Sequence, residues 1–265
     1  MNIKAYGGQY MEWVWRIFLV WYSVGIILVG FDLLPPFLEW ANAVFLYLAG
    51  ALAVIYAVKT LGLLTGLTFS VIIMAFTMWA ESLGVKYGWV FGAYHYEKDF
   101  GVQIFGVPLT IGFAWVMVIF TSMALVRPWL NQSFSVPGML IYPLITSMLA
   151  VCMDLIIDPV AFVAKEYWVW EDSGPYYGIP NQNFAGWFFV SFGIQFLLYI
   201  WMTSKSAKWD ELWTKRMKWL YGMMIAMFVV TSLMAGLYLA IFITISGLAV
   251  TFIAAKTGRR ILINE

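Results

Sequence analysis

Residues 219–255 read WLYGMMIAMFVVTSLMAGLYLAIFITISGLAVTFIAA, an apolar run too long for one membrane crossing. A spanning helix needs roughly 20 apolar residues. The run is therefore one overlong tilted helix or a hairpin of two short ones, and charge decides between them. Lys205, Lys208, Lys215, Arg216 and Lys218 precede it, and Lys256, Arg259 and Arg260 follow it. Basic residues favour the cytoplasmic side of a membrane. With both clusters on that side the run crosses twice and breaks near residues 234–236.

Six further apolar runs lie at about 13–34, 39–58, 61–83, 106–126, 138–158 and 184–203. The expected fold is an all-α polytopic transmembrane bundle of about eight helices, with seven as the alternative. It forms a single integral-membrane domain over residues 1–265, with both termini cytoplasmic. Hydrophobic residues make up 63% of the chain and charged residues 11%, with a mean hydropathy of +0.84. No soluble domain is built that way. A net charge of +1 makes no case for nucleic acid, and the single cysteine, Cys152, excludes an internal disulfide and a cysteine-based metal site. Lys4 and Arg16 flank a first run with no small-residue cleavage pattern, so it reads as a retained helix. Lys59 and Arg127 fall on the same side as the basic clusters. The loop with Asp32, Pro35, Pro36 and Glu39 falls on the other, together with two long aromatic loops.

Those two loops repeat a plan. ESLGVKYGWVFGAYHYEKDFGVQIFGVP occupies residues 81–108, and DLIIDPVAFVAKEYWVWEDSGPYYGIP occupies 154–180. Each begins with an acid near the end of one apolar run and closes with Gly-x-Pro at the mouth of the next. Trp115 follows Pro108 by seven residues, and Trp187 follows Pro180 by seven. Helices 3–4 and 5–6 thus suggest a parallel repeat, an arrangement that builds membrane sites between its halves. Chance in an aromatic-rich chain is the plainer account.

Ionisable residues in hydrocarbon cost roughly 2.5–3.5 kcal/mol each on insertion, so they point to function. Glu81, Asp154 and Asp158 are the three that stand out. The i, i+4 spacing of the two aspartates puts both on one helix face. Mutual repulsion and burial favour a held proton on one of them, which makes it a proton donor. Helix capping, or pairing with Lys86 and Lys165, is the plainer role. His95, the only histidine, sits between Tyr94 and Tyr96 and reads more readily as an interfacial hydrogen-bonder than as a catalyst. Most tryptophans and tyrosines fit an interfacial belt. Asn181, Gln182 and Asn183 could hold water or a polar head, or cap helix 6. Nucleotide, haem and zinc-protease motifs are missing. Asp154-Leu-Ile-Ile-Asp158 resembles the magnesium-diphosphate motif of intramembrane prenyltransferases, which need two such motifs where this chain has one.

Several motifs together resemble one family. They are E-S-x-G at 81–84, Y-G-W-V-F-G-x-Y-x-Y at 87–96, G-V-P at 106–108, D-x-x-x-D-P-V-A at 154–161 and Y-Y-G-I-P-N-Q-N-F-x-G-W at 176–187. The family is the CruF-type integral-membrane carotenoid 1,2-hydratases, which include bisanhydrobacterioruberin and γ-carotene hydratases. The likeness covers residues 75–200. It implies addition of water across the terminal C1–C2 double bond of an acyclic carotenoid end group, in a prokaryotic cell membrane. Glu81, Asp154 and Asp158 would be the catalytic carboxylates. Trp89, Tyr94, Trp168 or Tyr177 would wall the tertiary cation. His95, Tyr96, Asn181, Asn183 and Trp187 complete the expected substrate-binding set. No cofactor or metal is implied. The expected partners are a carotenoid with an acyclic end group, water and the lipid bilayer, with other carotenoid-biosynthesis enzymes as a further candidate.

Three other readings share these residues. A lycopene-cyclase-like isomerase would begin with the same protonation and exclude water. A carotenoid-binding subunit of a biosynthetic complex would need the aromatics and not the acids. A transporter would place its acids nearer the midplane.

Overall fold

The computed structural model describes residues 3–127, 136–204 and 208–263. Lys205, and the side chains of Lys4, Arg259 and Arg260, lie outside it. Helix α1 covers Ile3–Gly30, α2 Trp40–Leu61, α3 Leu63–Tyr87 and α4 Leu109–Val126. Then come α5 at Val136–Pro159, α6 at Asn181–Ser204, α7 at Glu211–Met234 and α8 at Tyr238–Ile263. Among the described residues these eight helices are long and apolar enough to cross a membrane.

The long C-terminal run does break into a hairpin. Helix α7 stops at Met234, Gly236 takes a φ of 73°, and Leu237 N bonds the Ser232 carbonyl at 2.8 Å. Several helices begin before their apolar runs. Helix α7 starts at Glu211 because the Asp210 side chain accepts from Trp213 N at 3.1 Å and caps it. An apolar window marks the hydrocarbon-embedded part of a helix, and its polar flanks continue the same ladder.

Contacts sort the connections onto two faces. On one face Lys165 pairs with Asp32 at 2.6 Å and Lys98 with Glu39 at 3.2 Å. Asn42 donates to Tyr167 Oη at 3.2 Å, and Ala240 N donates to Tyr177 Oη at 3.3 Å. The α1–α2 loop, both aromatic loops and the α7–α8 turn therefore share that face. On the other, Lys208 N bonds the Thr60 carbonyl at 3.0 Å, Arg127 pairs with Glu211, and Arg216 holds Glu12 at 2.6 Å. Helix α4 is the most enclosed, packing on α2, α3, α5 and α7. Helix α1 is the least enclosed and rests against α2 and α7.

The loops contain short strands that the hydropathy pattern does not reveal. Strand β1 (Tyr94–Tyr96) lies in the first loop and β4 (Trp168–Trp170) in the second. They pair antiparallel, with His95 opposite Val169. Strands β2 (Gln103–Ile104) and β3 (Val107–Pro108) form a tight hairpin before α4, with Ile104 opposite Val107. The second loop has the same turn, with Tyr176 opposite Ile179. Phe105 and Gly106 have φ of 54° and 83°, and Tyr177 and Gly178 have 51° and 80°. Two successive left-handed residues are what a type I′ hairpin turn requires, and glycine supplies one of them without a Cβ clash.

Candidate active site

A cavity of about 420 Å³ opens beneath the aromatic loops. Val20, Val24 and Leu28 of α1, Phe45 of α2 and Met224 and Met227 of α7 give it an apolar wall. Glu81 of α3 and Asp154 and Asp158 of α5 also line it, and all three are buried. Both loops and the helices that follow them also contribute, with Tyr94, Tyr96, Trp115, Trp168, Trp170, Asn183 and Trp187.

Glu81 is held at both oxygens. Trp115 Nε1 donates to Oε1 at 2.8 Å, and the Tyr94 hydroxyl donates to Oε2. Burial first, then the nearby Glu81 charge, push the Tyr94 phenol well above its ordinary range, so it keeps its proton and stays a donor. Asp154 and Asp158 share a single amide. Asn183 Nδ2 donates to Asp154 Oδ2 at 2.8 Å and to Asp158 Oδ2 at 2.5 Å. One NH₂ group has two hydrogens, so both are spent. Asp154 Oδ1 and Trp170 Nε1 are buried and have no hydrogen-bond partner among the described residues.

Proline shapes the α5 end of the site. Pro159 lacks the N–H that would bond the Leu155 carbonyl. The Tyr176 hydroxyl takes that carbonyl instead, at 2.7 Å. The helix then relaxes through one π-helical turn, Val160–Ala164, into the loop. Tyr176 thereby ties the second loop to the turn that carries both aspartates.

Aromatic rings close the walls. Trp115 and Trp187 stack at 4.0 Å with an interplanar angle of 21°. Tyr94 lies 4.9 Å from Trp170, and Tyr96 lies 6.2 Å from Trp168. The strand pairing of β1 with β4 sets both contacts.

The structure brings Glu81, Asp154, Asp158, Tyr94, Tyr96, Trp168, Asn183 and Trp187 together around this cavity. It places four other expected residues outside the lining. Trp89 is 61% exposed and packs on Tyr87. His95 points away from Tyr94 and Tyr96, as strand alternation demands, toward Glu97 at 2.9 Å and Glu171 at 3.7 Å. Tyr177 packs on Tyr176, with its hydroxyl at Ala240. Asn181 is exposed in the first turn of α6. Neither lysine considered as a partner for the acids reaches them. Lys165 holds Asp32, and Lys86 lies 5.3 Å over the Phe105 ring.

Trp115, Trp170, Tyr167 and Asn42 also line the cavity, although nothing in their sequence context assigns them to it. Trp115 was visible as a landmark of the repeat. Trp170 enters only through the β1–β4 pairing, and Tyr167 and Asn42 only through the contact of the second loop with the first turn of α2.

Fold and site together define an integral-membrane protein with an internal, acid-bearing apolar chamber. The chain belongs to the carotenoid biosynthesis protein family, whose family model matches residues 41–251. It is 36% identical over 109 residues to the bisanhydrobacterioruberin hydratase of Haloarcula japonica. That match covers 40% of this chain and 36% of the relative, so it spans about a third of the relative's length. No solved structure matches.

Proposed function

We propose that this protein is a carotenoid hydratase. It adds water across the terminal C1–C2 double bond of an acyclic carotenoid end group. The observation that carries this reading is the opening of Glu81, Asp154 and Asp158 onto one apolar, aromatic-walled cavity. Protonating C2 of a trisubstituted alkene leaves a tertiary cation at C1. That step needs a carboxylic acid in a dry site, where a carboxyl group holds its proton. The faces of Tyr94, Trp168 and the Trp115–Trp187 stack offer π density to the cation. Water then adds to C1, and a second carboxylate takes its proton. The family membership and the hydratase name of the relative point the same way.

The polyene enters sideways from the bilayer. Val20 and Val24 of α1, the least enclosed helix, line the cavity and are more than half exposed, at 66% and 52%, which supports an opening beside α1. The whole chain works as one multi-pass domain of a prokaryotic cell membrane. The basic flanks at Lys59, Arg127, Lys208, Lys215 and Lys218 support cytoplasmic termini. The aromatic loops then face the opposite side.

Co-expression with lycopene-producing enzymes, followed by mass analysis of the pigments, tests the reading. A product heavier by one or two waters is expected. An unchanged mass with altered retention would replace hydration by cyclisation or isomerisation. Unchanged pigment would remove lycopene as a substrate and leave carotenoid binding.

A further inference from the structure

The three carboxylates are not equivalent, and their hydrogen bonds divide the labour. We infer that Asp154 is the proton donor to the alkene and Glu81 the acceptor of the proton from water, an assignment that rests on the hydratase reading. An alkene is a weak base with no lone pair to compete for a proton already shared. The donor must therefore have an O–H that no other group occupies.

Glu81 cannot meet that condition. Trp115 Nε1 donates to Oε1, and an indole N–H only donates. The other oxygen meets the Tyr94 hydroxyl. A proton on Glu81 would have to sit on that oxygen, held against the Tyr94 hydroxyl and not aimed at a substrate. As an ionised group with two donors, Glu81 is instead a stabilised acceptor. Asp154 differs. Its Oδ2 accepts from Asn183, which leaves Oδ1 as the atom for a proton. Asp154 lines the cavity, and its Oδ1 is buried with no partner among the described residues. Asp158 spends its Oδ2 on the same amide and its carboxyl also accepts a hydrogen bond from Trp168, so it acts as a positioning residue. The shared amide holds the pair at fixed separation, and a proton on Asp154 relieves the repulsion between them.

The π pair of C1=C2 takes the proton from Asp154 Oδ1 and forms the C2–H bond. The cation at C1 takes a lone pair from water to form the C–O bond. The surplus proton of that water passes to Glu81. Asp154 ends as carboxylate and Glu81 as acid. The next water carries the proton back, and the net change is alkene plus water to tertiary alcohol.

The test uses membranes carrying the full chain, given lycopene in D₂O buffer. A cation that is not trapped by water returns a proton from C2 to Asp154, so recovered lycopene gains deuterium there. Glu81→Gln is expected to cut alcohol by about 100-fold or more while deuterium uptake persists. Asp154→Asn is expected to lose both. Uptake that survives in Asp154→Asn, or that disappears with the alcohol in Glu81→Gln, would overturn the assignment. Should an amide variant fail to insert, Asp154→Glu and Glu81→Asp repeat the comparison: the first slows uptake and alcohol alike, the second alcohol alone. Wild-type membranes that take up deuterium through Asp154 but form no alcohol would retire hydration and keep the donor. Neither uptake nor alcohol would overturn both.

Discussion

The α3–α4 and α5–α6 hairpins share a turn and part company at the acid. Ile104 to Val107 and Tyr176 to Ile179 fold into I′ turns whose central φ values agree within 3°. Their tryptophans, Trp115 and Trp187, meet face to face. Their loop strands pair with each other. Around this common frame the first hairpin has one acid with both oxygens engaged, and the second has two acids sharing one amide. The difference teaches that two hairpins with a common turn can bring carboxylates to one cavity while local partners give their oxygens different surroundings, the difference on which the proposed donor and acceptor roles rest. A donor needs a free oxygen, and an acceptor needs its charge supported.

The largest expected effect breaks both halves in turn. Asp154→Asn and Glu81→Gln should each lower alcohol formation by about 10²–10⁴-fold in the lycopene co-expression assay, the range for losing one acid or base. If one amide variant retains full activity, its hairpin contributes scaffold and no chemistry. Asn183→Leu comes next and touches only the second half. It strips both aspartates of their donor, which costs about 1–3 kcal/mol of stability, readable by thermal unfolding in detergent. A variant as stable as wild type would mean the amide is not what holds the pair.

How much of this was legible in the sequence differs between fold and site. Eight helices followed from run length and from the basic residues on either side of 219–255, because hydrocarbon thickness and charge act on composition alone. The three carboxylates were visible for the same reason, being costly where they stand. Their partners were not. Asn183 was in view only as a helix cap or water ligand, while Trp115 was merely a landmark. Whether an indole reaches an acid 34 residues away depends on packing that no spacing rule encodes. Trp170 and the outward turn of His95 depend on β1 finding β4 across more than 70 residues. Once Tyr94 and Tyr96 face inward, alternation alone sends His95 out, but the strand itself is too short to announce its period.

A smaller effect sharpens the comparison of the turns. Gly106→Ala and Gly178→Ala place a Cβ on left-handed residues at φ of 83° and 80°. Each should cost about 1–2 kcal/mol. A Cβ at Gly106 would meet Val85 Cγ1 at an ordinary 3.5 Å, so backbone strain dominates there, whereas one at Gly178 would also press on Phe162 Cε1 at 3.3 Å and the ring must give by a few tenths of an ångström. Matching losses in thermal unfolding would show that the two turns are energetically as well as geometrically alike. A loss confined to one would show that its hairpin carries more of the fold.

The smallest effect concerns how the α1–α2 loop is tied to each hairpin. Glu39 reaches Lys98 of the first loop, and Asp32 reaches Lys165 of the second. Hydrogen bonding and charge from Lys165 hold the Asp32 carboxyl below its ordinary range. A depressed carboxyl stabilises the fold above its unfolded value, near 4, and loses that contribution as pH falls through the lower folded value. The Asp32 side chain is 88% exposed, so solvent screens the pair and limits it to about 1 kcal/mol at most. Asp32→Asn is the clean probe, since asparagine also accepts the φ of 56° found there. At neutral pH the variant should melt lower by about 4 °C or less. The two melting curves should converge as pH drops below about 4, where Asp32 takes up its proton. A gap that persists there would assign the loss to the turn and not to the tie, leaving the first hairpin's Glu39–Lys98 pair as the loop's ionic anchor.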